Sequence, residues 1–241
     1  MRTPAAAAAI VALALACPAL AGLPLAGKTV TIDPGHNGDN YLHTAEIDRL
    51  VNAGTLWKAC DTTGTETDSG YTEAAYNFDV ALRLARILRA EGARVVLTRT
   101  TNTGWGPCIT ERAAIGNRAH SNAAISIHAD GGPPDGRGFD VIYAPPIAHL
   151  TADTAAASKR LAVDVRNAFA AGTGEPYATY VGTDALDVRS DLGGLNLSKV
   201  PKVLIETGNM RNATDAVRLE SAAYRQREAE ALARGIAAFL G

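Results

Sequence analysis

Thr29-Val30-Thr31-Ile32-Asp33-Pro34-Gly35-His36 is a short β-branched run broken by Pro-Gly. It predicts a strand that runs into a tight turn. Outward from it, helix and strand signals alternate. Thr72 to Glu91 carries Val80, Leu84, Ile87 and Leu88 on one helical face and stops at Gly92. Arg94 to Thr98 predicts the next strand, and Thr110 to His120 a short helix. Ala123 to His128 and Gly138 to Tyr143 predict two more strands. Ala152 to Ala171 has helical spacing, closed by Gly172. Lys202 to Glu206 predicts a buried strand, and Asp215 to Leu240 a final amphipathic helix with Thr214 as N-cap. The alternation predicts an α/β fold, a single domain with a mostly parallel twisted sheet and helices on both faces.

The chain has 241 residues, 47% hydrophobic, 20% charged and 5% aromatic, the profile of a globular protein with an aliphatic core. Its formal charge is −2, so the basic excess usual in nucleic-acid binders is missing. No repeat or linker divides it.

At the N-terminus, Arg2 precedes an uncharged apolar run from Ala5 to Cys17, then Pro18-Ala19-Leu20-Ala21. A small-x-small site after such a run predicts a secretory signal peptide over residues 1–21. The mature domain then covers 22–241, secreted to the periplasm or the cell wall. A membrane anchor needs about 20 apolar residues, more than this run supplies. Ala14-Leu15-Ala16 before Cys17 is a poor lipobox, which argues against lipidation there.

Removal of Cys17 leaves Cys60 and Cys108. An even pair in an exported chain predicts a disulfide. A zinc site on them is the weaker reading, since neither lies in a Cys-x-x-Cys pair. Cys60 falls within Asp39 to Gly70, a long excursion with no sustained period. A loop beyond about 15 residues in a compact domain is usually functional or disordered. This one leaves near His36 and returns near Glu73, which predicts a lid or hairpin over the crevice. The alternative is a passive insertion with a structural staple.

Four ionisable residues are expected at one edge of the sheet. His36 lies just past its strand, and His128 and Glu206 end theirs. Ligands of open parallel sheets bind at the carboxyl ends of the strands. Glu73 opens a helix and stands seven residues before Val80, along the buried stripe. Four such groups together are costly without a metal or each other. Two histidines and one glutamate with an open fourth position form a zinc-hydrolase set, and the remaining glutamate would be the base. His43, His120 and His149 follow no strand end and are expected at the surface.

The order of motifs carries a family likeness. Val30 to Gly38 reads Val-Thr-Ile-Asp-Pro-Gly-His-Asn-Gly. Glu73, Leu97-Thr98-Arg99, Glu111-Arg112 with Asn117, Ser126-Ile127-His128-Ala129-Asp130 and Leu204-Ile205-Glu206-Thr207-Gly208-Asn209 follow. From about Lys28 to the C-terminus this resembles the zinc-dependent N-acetylmuramoyl-L-alanine amidases of bacterial cell-wall turnover, the amidase type 3 family. It looks like a compact mycobacterial-type secreted amidase with no separate wall-binding domain. The resemblance implies one Zn2+ per chain, held by His36, Glu73 and His128, with Glu206 as the catalytic carboxylate. It implies hydrolysis of the amide between the muramic acid lactyl group and L-alanine of the stem peptide. The partner would be peptidoglycan or a muropeptide, with the protein a monomer. Asp130 stands where an Asn is common, and Gly208-Asn209-Met210 replaces the usual Gly-Phe, although Asn212 keeps a later Asn.

Two other readings compete. A zinc carboxypeptidase trimming stem peptides shares the ligand types, but its first two ligands normally form His-x-x-Glu, whereas residues 36 and 73 are far apart. A non-catalytic wall-binding module would have lost a ligand or Glu206, and all four are present.

Overall fold

The first strand, β1 (Thr29–Pro34), lies second in a six-stranded sheet. A computed structural model describes residues 22–241; the stretch read as a signal peptide, with Cys17, lies outside them. In chain order the elements are a 3-10 turn (Asn40–Leu42), α1 (Thr44–Ile47), β2 (Leu50–Asn52), β3 (Trp57–Ala59), α2 (Glu73–Ala90) and β4 (Arg94–Leu97). Next come α3 (Ile109–Arg118), β5 (Ala123–Asp130), β6 (Asp140–Tyr143) and α4 (Ala155–Thr173). The chain closes with β7 (Leu186–Val188), α5 (Gly193–Asn196), β8 (Lys202–Asn209), α6 (Ala213–Glu220) and α7 (Ala222–Leu240).

The strand order is β4-β1-β5-β8-β6-β7. The first four strands are mutually parallel. β6 runs antiparallel to β8, and β7 parallel to β6. Alternation along each strand divides the two faces. Val30, Ile32, Ile125, Ile127, Val203 and Ile205 are buried in one apolar core with residues of α2, α4 and α7. Burying each such side chain contributes about 1.5–3 kcal/mol. The opposite face is covered by α3 and α5. There Gly116 packs on Thr31, and Leu195 on Ile142 and Ala144. This second face is polar at its centre, with Asp33, Ser126 and Lys202 buried on it. The expected mostly parallel α/β domain with helices on both faces is therefore what forms.

Several boundaries differ from the sequence reading. α4 does not close at Gly172 but runs to Thr173, and Gly174 takes the left-handed cap at φ 68°. Gly172 instead lets α7 approach: a Cβ there would lie 2.8 Å from the Ala231 Cβ. The last helix is two. Asn212, not Thr214, caps α6, its side chain accepting from the N–H groups of Thr214 and Asp215. Ser221 is extended and restarts the chain as the N-cap of α7. β7 and α5, both short, had no readable period. The excursion over 39–70 does contain a hairpin as expected, β2 and β3 pairing antiparallel within it.

Candidate active site

The turn after β1 is held from three sides. The Gly35 N–H donates to the Ile127 carbonyl of β5 at 3.0 Å. Arg99 donates to the carbonyls of Pro34, Gly35 and Ala74 at 2.8 to 3.2 Å. Arg112 donates to the carbonyls of Pro34 and His36. So fixed, His36 adopts φ 56°, a left-handed conformation uncommon outside glycine. Its ring is thereby turned toward α2 and β5.

Glu73 receives both histidines. Its Oε2 lies 3.2 Å from His36 Nε2, and its Oε1 2.8 Å from His128 Nδ1. The ligand atoms of His36, Glu73 and His128 all lie within 4.8 Å of one another. The two imidazoles meet edge to face, 4.9 Å between centroids. Thr72 places Glu73 by capping α2, its hydroxyl accepting from the Ala75 N–H. The Thr65 N–H and Asn77 Nδ2 also donate to the Glu73 carboxylate.

The excursion supplies what sequence reasoning missed. The Thr62 carbonyl accepts from His36 Nδ1 at 2.9 Å, and the Asp61 carboxylate lies 3.4 Å from the same atom. That partner engages Nδ1 and turns Nε2 toward Glu73 and His128. Burial by itself would lower the His36 pKa. The Glu73 and Asp61 carboxylates outweigh it, and the value is pushed up to about 10. Burial would raise Asp61, but its bond with His36 and the charge of Arg112 bring it down to about 2. Beneath, Arg112 pairs with both Asp33 and Asp61 at 2.9 Å. Asp33 also accepts from Thr98, Ser126 and Lys202. A buried ion cluster of this kind is strongly destabilised by loss of one partner. The signal for it was the placing of Asp33, Arg99, Arg112 and Ser126 inside the quoted motifs.

Glu206 stands beside His128, in register across β5 and β8. It is outside the close His-Glu-His group but lines the same cleft, about 350 Å³, with His36 and His128. Its Oε2 is buried without a hydrogen-bond partner. Burial, then the charges of Glu73, Asp130 and Asp140, hold its carboxyl well above the usual range. A smaller apolar cavity of about 180 Å³ adjoins the histidines on the other side, under Lys58 and Ala59 of the hairpin and against Leu192 and Leu195. Cys60 and Cys108 form a disulfide that ties the hairpin to the start of α3. Gly64 closes over the centre: a Cβ there would lie 2.7 Å from Glu73 Oε2. The other histidines stay apart. His43 is half-buried beside Glu46 and Trp105, and His120 and His149 are exposed.

Two imidazoles and a carboxylate converging in a cleft, with a second carboxyl alongside, is the arrangement metallohydrolases use. The chain belongs to the N-acetylmuramoyl-L-alanine amidase family, Amidase_3, whose model matches residues 30–238. It is 45% identical to the N-acetylmuramoyl-L-alanine amidase Rv3717 of Mycobacterium tuberculosis, over 90% of this chain and 88% of that one. It is 31% identical to the amidase LytC of Bacillus subtilis, over 90% of this chain but 36% of the relative. Among solved structures, the amidase Ami1 of Mycobacterium smegmatis superposes with a TM-score of 0.84 at 45% identity. That match covers 90% of this chain and 98% of the other. Ami1 of Mycobacterium abscessus gives 0.83 at 41% identity, covering 90% and 100%.

Proposed function

We propose that this chain hydrolyses the amide between the lactyl group of N-acetylmuramic acid and L-alanine, using a zinc ion held by His36, Glu73 and His128. Family membership supports the reaction. The observation that carries the site is the convergence of three ligand atoms within 4.8 Å, beside a buried carboxyl with an unpartnered oxygen. The donors suit zinc, being two imidazole nitrogens and one carboxylate oxygen with a fourth position open to the cleft. Bound there, the ion would supply Lewis-acid chemistry, polarising a carbonyl oxygen and lowering the pKa of water from about 16 to about 7.

The chain's own groups do the rest. The Thr62 carbonyl and Asp61 orient His36, while the Thr65 N–H and Asn77 orient Glu73. Glu206 carries the proton. It takes one from the water as its oxygen attacks the amide carbonyl, and returns it to the α-nitrogen of alanine as the C–N bond breaks. Its side chain lines the cleft beside the histidines, and its Oε2 is tied up in no hydrogen bond.

We place the enzyme outside the cytoplasm, at the cell wall, with residues 1–21 as its export signal and 22–241 as its catalytic domain. Among the described residues no helix is long and apolar enough to cross a membrane. The test is zinc quantification on the purified protein beside mass spectrometry of a muropeptide digest. Zinc near one per chain, with free stem peptides and intact lactyl sugars, is expected. Trimmed stems still joined to sugar would overturn the reading.

A further inference from the structure

The cleft over Glu206 has a far end that the hydrolytic step does not use. On the face of the sheet that carries the site, His128, Glu206, Asp140 and Asp187 stand on successive strands β5, β8, β6 and β7. Arg189 follows β7, its N–H held by the Tyr143 carbonyl at 3.1 Å. Its side chain lines the same cleft as Glu206, with Leu192 and Leu204. Among the described residues it is the one lysine or arginine there. The other charged groups lining that cleft, the histidines apart, are the carboxylates Glu73, Asp130 and Glu206.

Arg189 is held by one edge. Its Nε and Nη2 donate to Asp191 at 2.9 and 2.7 Å, and Asp191 also lies 3.5 Å from Lys58 Nζ on the hairpin. Nη1 has no hydrogen bond to any described residue. A guanidinium has five N–H donors, so this grip leaves a second edge able to meet a further carboxylate. The guanidinium is therefore already oriented, on a cleft whose other non-histidine charged groups are carboxylates.

Resting on the amidase reading, we infer that Arg189 binds the free carboxylate of the stem-peptide residue that follows alanine, and so sets preference for acidic over amidated stems. Distance favours that residue. An extended chain advances about 3.3–3.6 Å per residue, which puts its carboxylate about 7 Å beyond the scissile amide. By register Arg189 stands two strands across and about four residues along from Glu206, roughly 16 Å between the two backbones, and the arginine side chain reaches back over part of that gap to line the same cleft.

The test compares two substrates, N-acetylmuramoyl-L-alanyl-D-glutamate and its diamide, on the zinc-loaded protein, Arg189→Gln and Arg189→Lys. The readout is the ratio of kcat/KM for diacid over diamide, because a general structural defect lowers both alike. The parent is expected to favour the diacid about tenfold, mainly through KM, the scale of one half-exposed charge-assisted pair. Arg189→Gln is expected to bring the ratio to about one, and Arg189→Lys to recover part of it. A parent ratio of one, or an Arg189→Gln ratio equal to the parent's, overturns the role of Arg189 and leaves the amidase reading standing. Failure of the parent to cleave either substrate overturns both.

Discussion

The His128 imidazole occupies the space that a side chain at Gly35 would need: a Cβ there would lie 2.1 Å from His128 Cε1 and 2.2 Å from Nε2. The glycine of the Pro-Gly-His turn is thus set by close approach to a ring on the neighbouring strand. Gly35→Ala should force that ring away from Glu73. Overpacking of this kind typically costs about 1–3 kcal/mol. The expected result is a folded protein with little bound zinc and activity down at least about a hundredfold, measured by metal analysis and muropeptide turnover. Normal zinc content in the variant would show that the ring can yield without leaving the site.

Substitutions in the cluster should separate holding from proton transfer. His36→Ala, Glu73→Ala and His128→Ala are each expected to lose most zinc and all measurable activity. Glu206→Gln keeps the shape but cannot take a proton. It should retain zinc while turnover falls by about 10²–10⁴-fold. Metal analysis beside a muropeptide assay decides, and a metal-free Glu206→Gln protein would make Glu206 a ligand.

The Cys60–Cys108 bond closes a loop with a sequence separation of 48. Chain entropy alone gives it about 4 kcal/mol, an upper figure. Because the bond anchors the hairpin bearing Lys58 and Ala59 beside the histidines, more than stability should change. Cys60→Ser/Cys108→Ser is expected to melt up to roughly 10 °C lower. Below that melt it should keep zinc and show an altered KM. Unchanged kinetic constants with only a lower Tm would reduce the hairpin to a staple.

Glu228 is buried in α7, where its Oε2 accepts from the Tyr76 hydroxyl at 2.7 Å. Burial, joined by the charge of Glu175, holds its carboxyl well above the ordinary range. The folded protein keeps that proton while the unfolded chain gives it up near pH 4.3. Its contribution to stability is therefore complete below that pH and is lost as pH rises toward the folded value. Glu228→Gln removes the titration and retains an acceptor for Tyr76. Its Tm should exceed the parent's by about 2–4 °C at pH 8 and differ less at pH 5. Parallel melting curves against pH for the two proteins would contradict this.

What the sequence determined by itself is whatever depends on near neighbours along the chain. The β-branched run before Pro34, the stripe of Val80, Leu84 and Leu88, and the apolar runs ending at His128 and Glu206 each follow from local burial and capping. They suffice for an α/β sheet and for four ionisable groups at one edge of it, since side-chain direction follows the period of each element. Tertiary structure alone decided which way β6 runs, where Gly172 packs, and that Ser221 interrupts the last helix. It also decided that Asp61 and Thr62 orient His36, that His36 presents Nε2 while His128 presents Nδ1, and that Arg189 returns to the Glu206 cleft. These depend on partners many residues apart. A buried polar group is satisfied by whatever donor or acceptor the fold brings within reach, and no local period records which one that is.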